Sequence, residues 1–421
     1  MNNNLSNANN KRNYFIVFVC MFMQAIPFGV AQNIQPLFIP YVIDKFGFKL
    51  AAFNLIFTFG AIASAIFSPA LGKLFGKVNI KILFIVGTVL SSLGFLGFGF
   101  AKTLPAFYIL SAVSQIGCVL FSGLGVPYVI NNWFPGKGRG KALGIAFSGG
   151  SIGNVFLQTI TSKVLESKGL GPSYIIFGLV SLIFSLPVIL FLIRLPKPGE
   201  VEESKGEDEK SQQNKSYEGP GIKGNLANPL FWTFSIGYAI IAISISALST
   251  QYATYFTSEL KMTATLVGTL GSTFAFFCLI GNVCGGALFD RIGTLKTMFI
   301  SMAFAIISLI ALLIAGNIHK LAFLFSVAYG LNVYSYMSAP AFMATDVFGK
   351  KDSSVTLGVI SLLFALGFAF GSSLFGMIVD HSGFKAGWIS MIGCVILGYI
   401  LLLFSIAKVK NQYKNLANNK Q

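Results

Sequence analysis

Charged residues divide the sequence into long apolar stretches. Reading for about 20 residues without Asp, Glu, Lys or Arg, the length that an α-helix needs to cross a bilayer, gives twelve spans. Apolar residues run continuously through each span and do not alternate, which predicts membrane helices and disfavours a β-barrel. The spans cover residues 14–38, 51–71, 82–100, 104–130, 142–162, 173–193, 229–256, 264–289, 297–316, 321–342, 355–379 and 387–407. The sequence therefore predicts an all-α membrane protein.

The composition excludes an ordinary soluble enzyme. Of the 421 residues only 10% are charged and 54% are hydrophobic, whereas a soluble domain carries about 25% charged residues. The sequence shows no nucleotide-binding loop, metal-ligand cluster or nucleophile triad, so we expect no cofactor, no metal and no enzymatic activity. The first span is too long for a cleaved signal peptide and lacks a small-residue cleavage site. We expect it to be retained.

Basic residues predict the orientation. With the N-terminus inside, 22 of the 30 Lys and Arg residues fall on the cytoplasmic side, so the positive-inside rule places both termini in the cytoplasm. The net charge of +16 is spread over short loops between spans. Its expected counterpart is the anionic inner leaflet of the cytoplasmic membrane, and not nucleic acid.

The sequence also contains an internal repeat, in which the second half resembles the first. When the second half is aligned with the first at one constant offset in residue number, Tyr41 falls on Tyr255 and Gly153 falls on Gly367, without a gap. The longest polar stretch falls midway between the two copies. The predicted domains are an N-terminal tail 1–13, a six-helix bundle 14–193, a cytoplasmic linker 194–228, a second six-helix bundle 229–407 and a C-terminal tail 408–421. Two parallel six-helix repeats are a known transporter plan.

Two motifs carry a family resemblance. Residues 286–293 read GALFDRIG, and with Lys296 they resemble the loop signature of the major facilitator superfamily, here between spans 8 and 9. The counterpart in the first half has Gly76 where the signature has an acid. Residues 132–135, which read NWFP, with Arg139 and the following glycine-containing stretch, resemble the entry to helix 5 in the oxalate/formate antiporter and monocarboxylate porter branch.

The resemblance implies a major facilitator fold of twelve transmembrane helices in two pseudo-symmetric halves. It further implies a secondary active transporter, an antiporter by the branch, that works by alternating access as a monomer in the lipid bilayer. The residues it implies for gating are Gly286, Asp290, Arg291, Gly293, Lys296 and Arg139. We expect Asp290 to pair with a basic residue or to cap the helix of span 11.

The implied substrate is a small organic anion. Oxalate carriers of this branch have basic residues inside helices 8 and 11, whereas spans 8 and 11 contain no Lys, Arg or His. A dianion is therefore disfavoured, and a monocarboxylate-like substrate is expected. The alternative is export of an uncharged or amphipathic metabolite or drug. A sensor on the same fold would need a signalling domain, for which the linker of roughly 35 residues is too short.

Neutral polar residues suggest where the substrate binds. Eleven Asn or Gln residues lie inside spans, and spans 3, 6, 9 and 12 have none. In the superfamily those four are the outer helices, while helices 1, 4, 7 and 10 line the cavity. The glutamines of span 1, together with residues that share one helix face in spans 4, 5, 7 and 10, are the candidate substrate-binding residues. They are Gln24, Gln32, Gln35, Gln115, Asn154, Gln158, Gln251, Tyr255, Tyr329, Asn332 and Tyr336. The alternative is that these side chains bond across helices as packing contacts.

Two small-residue motifs predict close helix packing. Gly149 and Gly153 lie one turn apart in span 5, and Gly281 and Gly285 do so in span 8. Such GxxxG pairs let backbones approach closely. Because helices 5 and 8 meet in this superfamily, we expect the two motifs to form a seam between those helices.

Overall fold

Helices α1 to α12 account for the twelve predicted spans in the computed structural model, which describes residues 2–134, 139–197, 200, 219–349 and 351–418. The bounds are as follows: α1, Asn2–Met23, Gln24–Asn33 and Gln35–Phe46; α2, Leu50–Gly72; α3, Ile80–Gly97; α4, Leu104–Cys118, Val119–Gly125 and Val126–Trp133; α5, Arg139–Lys168; α6, Leu170–Phe191; α7, Pro229–Thr254 and Tyr255–Glu259; α8 and α9, within Ala264–Ala315; α10, Leu321–Leu331, Tyr334–Met337 and Ala339–Asp346; α11 and α12, within Ser353–Asn418.

Two long helices each change direction at a glycine, a point that we call a corner, and each therefore contains two of the predicted spans. Among the described residues, nine continuous helices are long and apolar enough to cross a membrane. Ala264–Ala315 turns at Gly293 and Ser353–Asn418 turns at Gly383, so each supplies two spans. The shorter apolar helix Leu321–Met337 belongs to α10. The prediction of an all-α membrane fold with twelve helices is confirmed.

The duplication is visible in the backbone at the α5–α6 and α11–α12 corners. Gly169 precedes α6 with φ 77° and ψ −178°, and its counterpart in the second repeat, Gly383, has φ 78° and ψ 170°. Positive φ with extended ψ is essentially restricted to glycine. Neither glycine has another group within 4 Å of the position that a Cβ would take, so backbone conformation alone requires the glycine.

The helices form two compact units. Unit 1 comprises Met1–Phe48, Leu55–Gln212 and Met262–Ser272; unit 2 comprises Lys49–Asn54, Gln213–Lys261 and Thr273–Gln421. Unit 1 has a core around the buried Trp133 and Phe121. In unit 2, Trp388 packs against Phe375 at 4.3 Å and against Tyr255 at 5.7 Å between ring centroids. Each unit thus includes a short segment from the other sequence repeat.

Carboxylates hold both of these short segments. In unit 1, Glu166 at the end of α5 accepts hydrogen bonds from the backbone N–H and the hydroxyl of Thr265, at 3.0 and 2.6 Å. In unit 2, Asp380 at the end of α11 accepts from the backbone N–H groups of Leu50 and Ala51, at 3.1 and 3.0 Å. Glu166 and Asp380 occupy equivalent positions in the two repeats, as do Ala51 and Thr265. The first turns of α2 and α8 therefore receive equivalent caps.

The glycine motifs pack against helices that were not expected. A Cβ on Gly149 or Gly153 would collide with the backbone oxygens of Met21 and Ala25 in α1. A Cβ on Gly281 would lie 2.6 Å from the Leu331 oxygen in α10, and one on Gly285 would strike Tyr334. The expected seam between helices 5 and 8 is therefore wrong for these glycines. They allow α5 to approach α1, and α8 to approach α10.

Part of the predicted linker has a defined fold. Gly221–Ala227 is a short helix whose first turn donates the Ile222 N–H to a carboxylate oxygen of Asp352, at 3.0 Å. Asn225 is buried and donates to the Thr356 hydroxyl at 3.3 Å. This linker helix is thereby attached to the start of α11 within unit 2.

Candidate functional site

A polar cavity lies among α1, α2 and α4 of unit 1. It has about 10 Å³ of space, enough for one water molecule, and its lining is Ala31, Gln32, Gln35, Ile56, Phe57, Phe98, Ser111, Ser114 and Gln115. Three of these residues, Gln32, Gln35 and Gln115, were predicted from the sequence to bind substrate. The lining combines amides and hydroxyls with aromatic rings and, within the described chain, carries no charge. Such a surface suits a ligand with an apolar body and a few polar atoms.

Gln32 and Gln115 face each other across this cavity. Gln32 Nε2 donates to Gln115 Oε1 in a short hydrogen bond, and both side chains are half-buried. The amide nitrogen of Gln115 has no hydrogen-bond partner within the described residues, so it remains able to donate. Ser111 and Ser114 are already donors to the backbone oxygens of Ile56 and Ser91, at 2.6 and 3.2 Å. The two glutamines are therefore the groups best able to bind a ligand.

Irregular helices position these side chains. Residues Gln24–Asn33 of α1 form a π-helix that includes Pro27, and α4 and α7 contain the π segments Val119–Gly125 and Tyr255–Glu259. α10 is interrupted between Leu331 and Tyr334. π segments recur at functional sites because they widen the helix and rotate its side chains. The four interrupted helices are the four to which the superfamily resemblance assigns the cavity.

The remaining glutamines of α1 are bonded to residues other than Gln32 and Gln115. Gln24 is buried and its Oε1 accepts from the Ser122 hydroxyl at 2.9 Å, while its amide nitrogen has no partner in the described chain. Gln35 reaches the Tyr174 hydroxyl at 3.5 Å, and its Oε1 is buried without a partner there. An unpaired buried polar atom is costly, so both residues retain an unused hydrogen-bonding group.

The predicted residues of α5 bind to α1. Gln158 donates to Asn154 Oδ1 at 2.9 Å and to the Asn33 backbone oxygen at 2.7 Å. Asn33 in turn donates to the Gly150 backbone oxygen at 3.1 Å. Both Asn154 and Gln158 are buried. Gln158 thereby satisfies the backbone carbonyl of Asn33, the last residue of the π-helix of α1.

A buried amide cluster lies in unit 2. Gln251 Nε2 of α7 is 3.0 Å from Asn54 Oδ1 and 2.7 Å from the Ser372 hydroxyl of α11. Asn54 donates to the Ser372 backbone oxygen at 3.0 Å. Gln251 and Asn54 are fully buried, and Gln251 Oε1 has no partner among the described residues. Asn54 was counted among the polar residues of the spans but was not among the candidate substrate-binding residues.

Tyr329 and Tyr336 of α10 belong to a second polar cluster in unit 2, in which the Tyr329 hydroxyl donates to the Ile245 backbone oxygen of α7 at 3.1 Å. The Tyr329 hydroxyl lies 2.5 Å from the Ser249 hydroxyl of α7, and its ring stacks on Phe274 of α8 at 4.9 Å. Tyr336, Ser249 and Phe274 are half-buried. Helices α7, α8 and α10 therefore bring hydroxyls and aromatic rings together at one partly accessible place.

Asn332 and Tyr255 contact other helices. Asn332 Oδ1 accepts from the Ser301 hydroxyl of α9 at 2.6 Å, and Ser301 contacts the Tyr399 hydroxyl of α12 at 2.5 Å. The Tyr255 hydroxyl donates to the Leu312 backbone oxygen of α9 at 3.3 Å. Both contacts tie α7 or α10 to α9. The side chains of Asn332 and Tyr255 therefore bond to α9, although the Asn332 backbone N–H donates to the Tyr329 backbone oxygen at 3.2 Å.

Five of the six predicted gating residues lie in or next to the α8–α9 corner, and the sixth, Arg139, begins α5 in unit 1. Gly293 forms the corner with φ 77° and ψ 168°, while Gly286 lies in α8 with free space where a Cβ would stand. Asp290, Arg291, Lys296 and Arg139 are exposed. Asp290 makes no ion pair within the part of the chain that the structure describes. In the first half, Gly76 has φ 85°, which explains why a glycine stands there in place of the acid of the signature.

A different carboxylate holds the α8–α9 corner. Asp346 at the end of α10 accepts a short hydrogen bond from the Thr294 hydroxyl and forms an ion pair with Lys410 of α12 at 2.7 Å. Sequence reasoning did not assign this cluster, since its members are 52 and 64 residues apart and belong to no common motif.

Apolar helices in two sequence repeats, with an uncharged polar cavity in unit 1, are typical of a membrane transporter. The family model of the Major Facilitator Superfamily matches residues 14–258 and 234–420. The chain belongs to this superfamily.

Individual relatives are distant. The chain is 25% identical to the MFS-type transporter pynF of Aspergillus niger, over 64% of this chain and 59% of that protein. It is 24% identical to monocarboxylate transporter 12-B of Danio rerio, over 82% of this chain and 78% of that protein. The crystal structure of a mutant of the nucleoside transporter NupG shares the fold, with a TM-score of 0.73 and 14% identity over 94% of this chain and 99% of that chain.

Proposed function

We propose that this protein is a secondary active transporter of a small, monocarboxylate-like organic anion and works by alternating access. The observation that carries the proposal is the unit 1 cavity, whose lining offers amide donors without a fixed charge. A single carboxylate can be held by such donors, whereas a dianion would need cationic partners. The similarity to a monocarboxylate transporter supports the same substrate class.

Gln32 and Gln115 are the proposed first contacts of the anion. The free amide group of Gln115 donates to a carboxylate oxygen, and Gln32 exchanges its bond to Gln115 for one to the substrate. Phe57 and Phe98 supply the apolar surface for the substrate body. The energy comes from solute gradients.

Export of an uncharged or amphipathic metabolite is the second candidate. It is favoured by the stacked Phe274 and Tyr329 rings beside the half-buried Ser249 and Tyr336. Aromatic faces with nearby hydroxyls bind planar organic molecules well. In this case the Tyr329 cluster, and not Gln115, contributes most of the affinity.

Proteoliposome uptake distinguishes the two candidates. We expect labelled acetate, lactate or pyruvate to be taken up and exchanged against an unlabelled monocarboxylate inside the vesicles. Gln115→Leu should abolish this uptake, while Ser181→Ala, which removes a buried hydroxyl bonded to Ser92 between α3 and α6, should not. Failure of every monocarboxylate, with uptake of a neutral aromatic solute, would establish the alternative.

Orientation and gating follow from the same proposal. We place both termini in the cytoplasm, which puts Gly293, Asp290 and Lys296 on the inner side. Labelling of single cysteines near residues 296 and 320 from each side of sealed vesicles tests this placement. Asp290→Asn should increase inner-side labelling of cavity cysteines if Asp290 pairs with a cation in another state of the transport cycle.

A further inference from the structure

A groove lies at one end of α1, α4 and α6 in unit 1, away from the polar cavity. Its walls are Phe15, Ile16, Trp133, Phe191, Leu192 and Arg194, and its volume is about 170 Å³. The proposed transport function uses none of these residues. We call it the Arg194 groove.

Arg194 is held rigidly at the head of this groove. Its backbone oxygen accepts a hydrogen bond from Trp133 Nε1 at 2.8 Å, and its guanidinium carbon lies 4.8 Å from the centre of a Trp133 ring. Stacking of this kind orients the planar cation. The side chain is 29% exposed, so the cation is partly shielded from water and still accessible.

The guanidinium already binds an oxyanion. Glu200 places its two carboxylate oxygens 2.6 and 3.3 Å from the two terminal nitrogens of Arg194. This two-pronged geometry fits a phosphodiester equally well. Glu200 is therefore a group of the chain itself that occupies a site for a larger anion.

The surroundings favour an anion that carries an apolar chain. Phe191 is 80% exposed and Phe15 is 51% exposed, at the end of a membrane helix where acyl chains lie. Lys81 donates to the Leu190 backbone oxygen at 2.5 Å, which brings a second cation to the end of α6. The described residues thus place two cations, Arg194 and Lys81, and one carboxylate, Glu200, near this end of α6.

We propose that the Arg194 groove binds one anionic phospholipid. Its phosphodiester replaces Glu200 on Arg194, and one acyl chain lies against Phe15 and Phe191. Glu200 and the lipid then compete for one cation. Glu200 is bound to Arg194 only when the lipid is absent.

Trp133 is the probe for this site. In a protein with Trp232→Phe and Trp388→Phe, Trp133 is the remaining tryptophan, and its fluorescence is measured in nanodiscs that contain brominated lipid. We expect brominated phosphatidylglycerol to quench Trp133 at a several-fold lower mole fraction than brominated phosphatidylcholine. Arg194→Gln should abolish this difference, and Glu200→Gln should enlarge it.

Lys408 provides the matched control. Its ammonium lies 5.8 Å from the Phe404 ring in α12, so Lys408→Gln removes a cation stacked on an aromatic ring elsewhere and should leave the quenching unchanged. Native mass spectrometry of the otherwise unaltered chain and its Arg194→Gln variant gives a second readout, the loss of one bound phosphatidylglycerol. Equal quenching by both lipids, or a preference that survives Arg194→Gln, would overturn the proposal.

Discussion

At the scale of single residues, some polar side chains in this protein are placed to bind a ligand and others hold helices together. Gln32 and Gln115 are half-buried and bind each other across a cavity, whereas Asn332 is buried and bonded to Ser301 of α9. The residue type is the same class of neutral hydrogen-bonding side chain in both cases. What differs is whether a ligand could take the place of the protein partner.

Gln115→Leu should weaken substrate binding with little effect on stability. The substitution keeps the volume and removes the amide that is free to donate. The loss of a hydrogen bond from a desolvated site corresponds to about 1–3 kcal/mol, or roughly 5- to 150-fold in affinity. Binding isotherms and melting curves measured on the same preparation check this. A fall in melting temperature with normal affinity would contradict the assignment.

Asn332→Ala and Tyr336→Ala should give opposite results. Asn332 loses its contact with Ser301, so we expect a loss of stability of roughly 1–2 kcal/mol and unchanged affinity. Tyr336 is partly accessible beside Tyr329, so its truncation should reduce affinity and spare stability. Thermal unfolding and ligand titration of both variants decide between a binding role and a packing role for each residue. If Asn332→Ala alone weakened binding, α10 would present the opposite face to the ligand.

At the scale of secondary-structure elements, two helices are capped at their first turns by carboxylates from other helices. The carboxylates of Glu166 and Asp380 cap the first turns of α8 and α2, although they lie 99 and 330 residues away in sequence. Backbone N–H groups in a first turn have no partner inside their own helix. The caps therefore satisfy groups that would otherwise need water.

Glu166→Gln and Asp380→Asn should each destabilise the fold. An amide keeps the shape but loses the negative charge at a helix N-terminus, which corresponds to about 0.5–2 kcal/mol. Glu259→Gln and Asp44→Asn are matched controls, because these carboxylates are exposed at helix ends and make no hydrogen bond within the described chain. Melting curves in detergent at low salt check the difference. Equal effects in all four variants would show that the caps contribute no specific stability.

The sequence predicted the helices well and the contacts only in part. Spans without charge identify membrane helices because bilayer thickness fixes their length. Gln32, Gln35 and Gln115 were found because neutral amides are concentrated in the spans that the superfamily resemblance places around the cavity. Asn54 and Asp346 were missed because their hydrogen-bond partners are remote in sequence. For the same reason the glycines of α5 and α8 were expected to pack against each other, whereas they pack against α1 and α10. The π segments that rotate α1 and α4 have no reliable sequence signal.

At the scale of the whole molecule, the two repeats share their most constrained positions. Gly169 and Gly383 adopt the same positive φ at equivalent corners. Gly144 and Gly358 are also equivalent in the two repeats, lie within helices and have free space for a Cβ. The backbone conformation thus requires glycine at positions 169 and 383 but does not require it at positions 144 and 358.

Gly169→Ala and Gly383→Ala should each lower stability by on the order of 1–3 kcal/mol, because alanine resists positive φ. Gly144→Ala and Gly358→Ala should leave stability unchanged or raise it by about 0.5–1 kcal/mol, since alanine favours the helix. Chemical unfolding of the four variants checks the contrast. Similar losses at all four positions would mean that Gly144 and Gly358 serve a contact as well.

The buried position of Asn54 has a consequence for the time course of synthesis. Its partner Gln251 follows it by 197 residues and Ser372 by 318 residues. At about 5–20 residues per second, the ribosome delivers Gln251 roughly 10–40 s after Asn54, and Ser372 roughly 15–65 s after it. During that interval the amide of α2 is already in the membrane without its final partners. A newly inserted N-terminal repeat must therefore keep α2 near water or a temporary hydrogen-bonding neighbour until translation reaches α11.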